Sequence, residues 1–179
     1  IENLATASPL MSQETKIPAS GRIEGIYLAA GHSYFGRHGK DAATFPMVAA
    51  SEAECIAGKG LFGDRFFEHK SAYKGQVTFF ALEVYQRLEE TLPRSHGSPE
   101  IFRRNIITSG IDLNRLIGKR FRLQGLLFEG TEECRPCYWM NRAWGEGAEK
   151  ALTGHGGLRA KILETGWLRV GSAFQDPTS

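Results

Sequence analysis

The chain has 179 residues, 41% of them hydrophobic and 23% charged, with a formal net charge of +2. That composition excludes wholesale disorder, and so small a charge gives no support for a nucleic-acid partner. Three cysteines are too few for the disulfide scaffold of a secreted mini-protein and fit a reducing, cytoplasmic setting. No apolar run reaches bilayer length, and the N-terminus lacks the order of a secretory signal, so no membrane association is expected.

Residues 1–20 are rich in Ser, Thr, Ala and Pro without a sustained apolar period, and read as a tail that becomes ordered only by docking. Met11 would be a natural start, with residues 1–10 an expression remnant. Residues 21–175 are expected to form one domain. Arg22–Leu28 reads as the first strand, with Gly25 marking a bulge. Gly31–Pro46 reads as a long loop of the kind that carries function, and Met47–Ile56 as a pair of short strands. Gly58-Lys59-Gly60-Leu61-Phe62-Gly63-Asp64-Arg65 is a glycine-rich turn that fails the spacing of a phosphate-binding Walker loop; its plain reading is a tight turn exposing Asp64 and Arg65.

Gln76–Phe80 is β-branched and aromatic, hence a strand, and Ala81–Leu92 has the period of an amphipathic helix, ended by Pro93–Pro99. Phe102-Arg103-Arg104-Asn105-Ile106-Ile107-Thr108 joins a basic pair to an apolar strand, and reads either as solvated charge at a strand entrance or as an anion site. Asp112–Ile117 is a helical turn, and Arg120–Leu123 with Leu126–Glu129 a hairpin turning at Gln124-Gly125. Asn141–Glu149 is partly helical. Leu158–Leu163 and Trp167–Val170 are the last strands. Many short strands with one good helix predict a mainly β fold, a barrel or sandwich.

The chemistry concentrates at Cys134-Arg135-Pro136-Cys137. Thiols react and ligate metals as thiolates, which a guanidinium or a helix N-terminus favours. Pro136 is pre-set for a first helical turn, so Cys137 is the better candidate for the working sulfur. Two such cysteines can equally be a disulfide, half of a zinc site, or packing, and no second Cys or His pair completes a zinc set. His155, between glycines, is a candidate general acid or an ordinary loop residue, and the same holds for His32 and His38. Tyr138, Trp139 and Trp167 read as packing.

Six motifs in order, Gly60–Arg65, Gln76-Val77-Thr78, Arg103–Ile106, Leu116-Ile117-Gly118, Glu133–Cys137 and Gly154–Ala160, resemble the MOSC domain, the C-terminal domain of molybdenum-cofactor sulfurases. The resemblance implies a closed, strongly bent β-barrel like the small domain of pyruvate kinase, with a few short α-helices. It implies that Cys137 is the metal ligand of a molybdenum-pterin cofactor, or a persulfide-bearing sulfur, with Cys134 a second catalytic candidate. Arg103 corresponds to an arginine that related reductases use near the cofactor and Asn105 follows it in the same motif; Arg65, Arg104 and Arg159 are grouped with them as cofactor-binding candidates. Phe66, Gly75 and Ser172 depart from residues frequent in relatives. No desulfurase domain accompanies these motifs, so no pyridoxal phosphate is expected.

Three functions are consistent with this: a molybdenum-dependent oxidoreductase that reduces N-hydroxylated small compounds, served by a separate reductase; a sulfur carrier, served by a sulfur donor protein; and a non-catalytic small-molecule or protein interaction barrel with structural cysteines.

Overall fold

A computed structural model describes residues 13–37, 39–93 and 97–174. The expectations placed on Met11, on residues 1–10 and on His38 lie outside the described residues. Arg22–Leu28 forms β1, and the ladder slips between Ile23 and Gly25, the bulge that the glycine predicted. Val48–Ala50 (β2) pairs with β1, whereas Glu52–Ile56 (β3) pairs with Gly60–Leu61 (β4). The two short strands expected at Met47–Ile56 therefore form but do not pair with each other. Val77–Ala81 (β5) leads into Leu82–Thr91 (α1), and Ile106–Ser109 (β6) returns parallel to β5.

Arg120–Leu123 (β7) and Leu126–Glu133 (β8) form the predicted hairpin about Gln124-Gly125, both with positive φ as a two-residue turn of this twist requires. Two short helices, Trp139–Ala143 (α2) and Ala148–Leu152 (α3), precede Leu158–Ile162 (β9), Gly166–Arg169 (β10) and Gly171–Ser172 (β11).

The larger sheet runs β11-β1-β6-β5-β9-β8-β7, and a smaller one runs β10-β3-β4. The fold is mainly β with few helices, but the closed barrel expected from the resemblance is not formed: among the described residues no ladder joins β7 to β11. The reason lies at the edges. Thr15, in the tail, bridges to Phe121 of β7. Gln124, at the hairpin tip, then reaches across with its side chain, donating to the carbonyls of Arg169 and Ser172 and accepting from Arg169 N–H. Gln124 N–H also donates to the Ala173 carbonyl, so the ends are tied by the side chain and backbone of one residue rather than by a strand ladder. No helix among the described residues is long and apolar enough to cross a membrane.

β5 and β6 are covered on both faces, as parallel strands usually are. Phe79 and Ile106 enter a cluster with Ile23, Phe121 and Phe128, while the alternate residues Phe80 and Ile107 enter a second with Leu88, Phe102 and Trp144 beneath α1. Truncating Phe80 to Ala would cost about 3–5 kcal/mol, the usual range for a sealed aromatic. This double burial fixes the strand starts rigidly, and the cavity described next sits beside them.

Candidate functional site

Cys134 and Cys137 line one cavity of about 360 Å³, together with Arg65, Arg103, Arg104 and Arg159. That volume is at the small end of ordinary ligand sites, roughly 300–1,000 Å³. Both cysteines are free thiols, Cys134 buried and Cys137 exposed. Cys134 continues the β8–β9 ladder, its N–H donating to the Gly157 carbonyl, and Cys137 precedes α2, its carbonyl accepting from Met140 N–H. Gly156 and Gly157 make this possible. A Cβ at Gly156 would stand 2.3 Å from the Cys134 carbonyl oxygen, and one at Gly157, whose φ is +106°, 2.2 Å from that of Phe79. The Gly-His-Gly-Gly stretch is thus a close approach of backbones, not merely a flexible segment.

The arginines have distinct duties. Arg104 is buried, and its three nitrogens donate to the carbonyls of Gly156, Phe102 and Cys134 at 2.9, 2.7 and 2.7 Å. Arg103 adopts a left-handed backbone (φ +60°) and donates to the carbonyls of Phe45 and Gly31, gripping both ends of the long loop. Arg65 pairs with Asp64 at 3.1 Å and donates to the Arg103 carbonyl. Arg159, on β9, donates to Glu132 and lines the same cavity as Cys134. Arg135 is exposed at the mouth.

These cations crowd one another. Burial, reinforced by Arg65, pushes the Arg103 guanidinium down to about 10. Burial likewise lowers Arg65, aided by Arg104 and opposed by Asp64. Burial works against the Arg159 charge too, but Cys134, Tyr73 and Glu132 outweigh it and hold that pKa above its ordinary value. A bound anion would relieve the repulsion and restore the lowered pKa values, so the electrostatics favour an anionic ligand.

An aromatic wall faces the cations. His32, Phe35, Phe66, His69 and Tyr73 pack in edge and tilted pairs, and Tyr34 stacks on Trp139 with centroids 4.5 Å apart. Phe35 is 62% exposed at the rim. Burial, then Arg65 and His69, hold the His32 pKa below its usual value.

The structure brings Cys134, Cys137, Arg65, Arg103, Arg104 and Arg159 together, and leaves Asn105 out. Asn105 accepts from Thr78 N–H and Oγ1 and donates to the Tyr27 carbonyl and to Asp64 Oδ1, so all its polar capacity is spent inside the framework. Asp64 is the hub that sequence reading missed. Rather than being exposed, it accepts from the backbone N–H of Ala29 and Phe66 and from Arg65 and Asn105. The only hint was the Gly63 that frees it to turn inward. The aromatic wall was missed because its members are spread over residues 32–73 with no common period. His155 lines a different cavity, with Glu83, Asp112 and Asn114. Cys55 is sealed in the core, where burial pushes its thiol up to about 12. Trp139 is buried and lines the cavity, while Trp167 is an exposed residue of β10. Among the described residues no three His, Cys, Asp or Glu side chains converge to hold a metal ion.

The fold is similar to that of the YuaD protein of Bacillus subtilis, with a TM-score of 0.63 at 20% identity over 84% of this chain and 92% of that one. It is also similar to YiiM of Geobacillus stearothermophilus (TM-score 0.60, 13% identity, 85% of this chain and 72% of that one). YiiM of Escherichia coli matches with a TM-score of 0.51 at 18% identity, over 82% of this chain and 67% of that one. No curated protein matches. The family model of the MOSC domain matches residues 37–175, most of the chain. The chain therefore belongs to the MOSC domain family.

Proposed function

We propose that this chain binds a molybdenum-pterin cofactor in the arginine-lined cavity, with Cys137 as its one protein ligand to the metal. The observation that carries the reading is an exposed thiol on the wall of a cavity crowded with guanidinium groups, in a member of the MOSC family. The donor set fits such a group. With no three-residue metal cluster among the described residues, a metal here would draw one soft thiolate from the protein and its other ligands from the cofactor. Arg159 and Arg135 would hold the anionic end, because Arg65, Arg103 and Arg104 already spend donors on backbone carbonyls. The aromatic wall would exclude water and receive a flat small compound.

When bound, the cofactor supplies two-electron chemistry, and reduction of an N-hydroxylated compound is the reaction class this reading favours. A separate reductase would supply the electrons. All three cysteines are free, which supports a reducing, cytoplasmic setting. The exposure of Cys137 also favours a second reading, a sulfur carrier that takes a persulfide from a donor protein, since exchange with a partner needs a reachable sulfur.

The deciding experiment is elemental analysis for molybdenum on protein produced with the cofactor available, repeated on Cys137→Ser. Near one molybdenum per chain, lost in the variant, is the expected result. No metal in either protein, with an added sulfur on Cys137 after incubation with a sulfur donor, would replace the first reading by the second. Neither metal nor sulfur on Cys137 would leave an interaction module with structural cysteines.

A further inference from the structure

Two thiols three residues apart usually suggest a dithiol that closes into a disulfide, and here the backbone argues the opposite. Cys134 to Cys137 runs without a turn. Pro136 restricts Arg135 to extended conformations. Three extended residues set the two Cα atoms ~10 Å apart, beyond the ~7 Å that a disulfide tolerates.

Both ends are anchored: Cys134 N–H on Gly157, and the Cys137 carbonyl in the turn that begins α2. The decisive anchor is Arg104. Its guanidinium takes the carbonyls of Cys134, Gly156 and Phe102 at once, from inside the protein, 7% exposed. It joins the cysteine segment to the Gly156 strand entry and to the turn Pro99–Phe102 before β6. A close-fitting glycine backs the same segment, since a Cβ at Gly156 would meet the Cys134 carbonyl and Pro136 Cδ at 2.3 and 2.8 Å.

We propose that Arg104 is a positioning residue that holds Cys134 and Cys137 apart as two independent thiols. The exposed Cys137 is thereby kept from oxidation by its neighbour and stays free for the sulfur chemistry proposed above, the reading on which this role rests. Cys134 stays beside Arg159 and shapes the cavity without joining Cys137.

The test treats the reduced full chain with diamide. Each intramolecular disulfide passes two electrons and two protons to the diazene bond, giving the hydrazine and a chain lighter by two hydrogens. The same chain unfolded in urea sets the unrestrained rate. Folded wild-type protein should close the Cys134–Cys137 bond at least about 100-fold more slowly, with both thiols still alkylated in the peptide map. Arg104→Met, which keeps bulk and removes the donors, should close it at least about 10-fold faster than wild type. Gly156→Ala, which leaves Arg104 in place and displaces the segment, should move the same way.

Wild-type protein that forms the disulfide at the unfolded rate overturns the proposal, whatever the variants do. Folded variants as resistant as wild type overturn the role of Arg104. Should Arg104→Met fail to fold by circular dichroism, Arg104→Lys, which retains fewer donors, must give an intermediate rate. The readout requires no metal and no sulfur donor, so an unloaded Cys137 would sink the functional reading and leave this one standing.

Discussion

Cys55 and Cys137 carry the same side chain in opposite surroundings, and the contrast separates framework from chemistry. Cys55 lies on β3 opposite Gly166 of β10, sealed among Leu61, Ala53 and Leu168, its thiol driven up to about 12 chiefly by burial. Cys137 stands at a cavity mouth, exposed, in a wall of guanidinium groups. Placement by strand or by loop decides which sulfur is inert. A strand interior offers only hydrogen bonds already spent and apolar neighbours, whereas the segment that leaves the sheet after Cys134 carries Cys137 out to the solvent.

The largest expected effect breaks the contrast most directly. At pH 8 iodoacetamide should alkylate Cys137 at least ~10³-fold faster than Cys55, because a thiol with a pKa near 12 has little thiolate and must also wait for an opening of the core. Peptide mapping against time checks this, and comparable rates would remove the distinction. Next comes stability. Asn105→Ala strips the buried bonds to Thr78, Tyr27 and Asp64 and should cost about 3–5 kcal/mol, while Cys137→Ser should change stability by less than about 0.5 kcal/mol; urea unfolding of both checks it.

The smallest effect is one of pH. Cys55 has a folded pKa above its unfolded value near 9, so the folded state binds the proton more tightly. Its contribution is complete below pH 9 and falls away as the pH rises toward about 12. Cys55→Ala should therefore flatten the alkaline limb of the stability curve, read as urea midpoints at pH 8, 9 and 10, although it lowers stability throughout. An alkaline limb unchanged by the substitution would mean that Cys55 is not sealed.

Much of this framework was legible in the sequence because it is local. Periodicity marked β1, β5 and α1, the Gln124-Gly125 pair marked the hairpin, and Gly25 marked the bulge in β1. Sheet closure was not legible, since it depends on which edges meet, and here Gln124 and the Thr15 bridge occupy the place a ladder would take. At the site, residue types were readable but their duties were not. Arg103, Arg104 and Arg159 look alike on paper, yet they end on loop carbonyls, on the cysteine backbone and on a carboxylate, respectively. Asn105 sits beside them in sequence and points the other way. Only the fold assigns such roles, because each depends on a partner 27 or more residues distant.

The Gln124 bridge bears on how the molecule breathes. Where a cylinder would have a row of backbone bonds, the side chain and the single backbone N–H of Gln124 span the seam, so thermal opening should begin there, and the amide protons of Arg169 and Gln124 should exchange ahead of those in β5 and β6. None of the strands at that seam lines the arginine cavity. The weakest joint of the shell is thus set apart from its reactive mouth, and the protein can flex without disturbing the geometry around its sulfur.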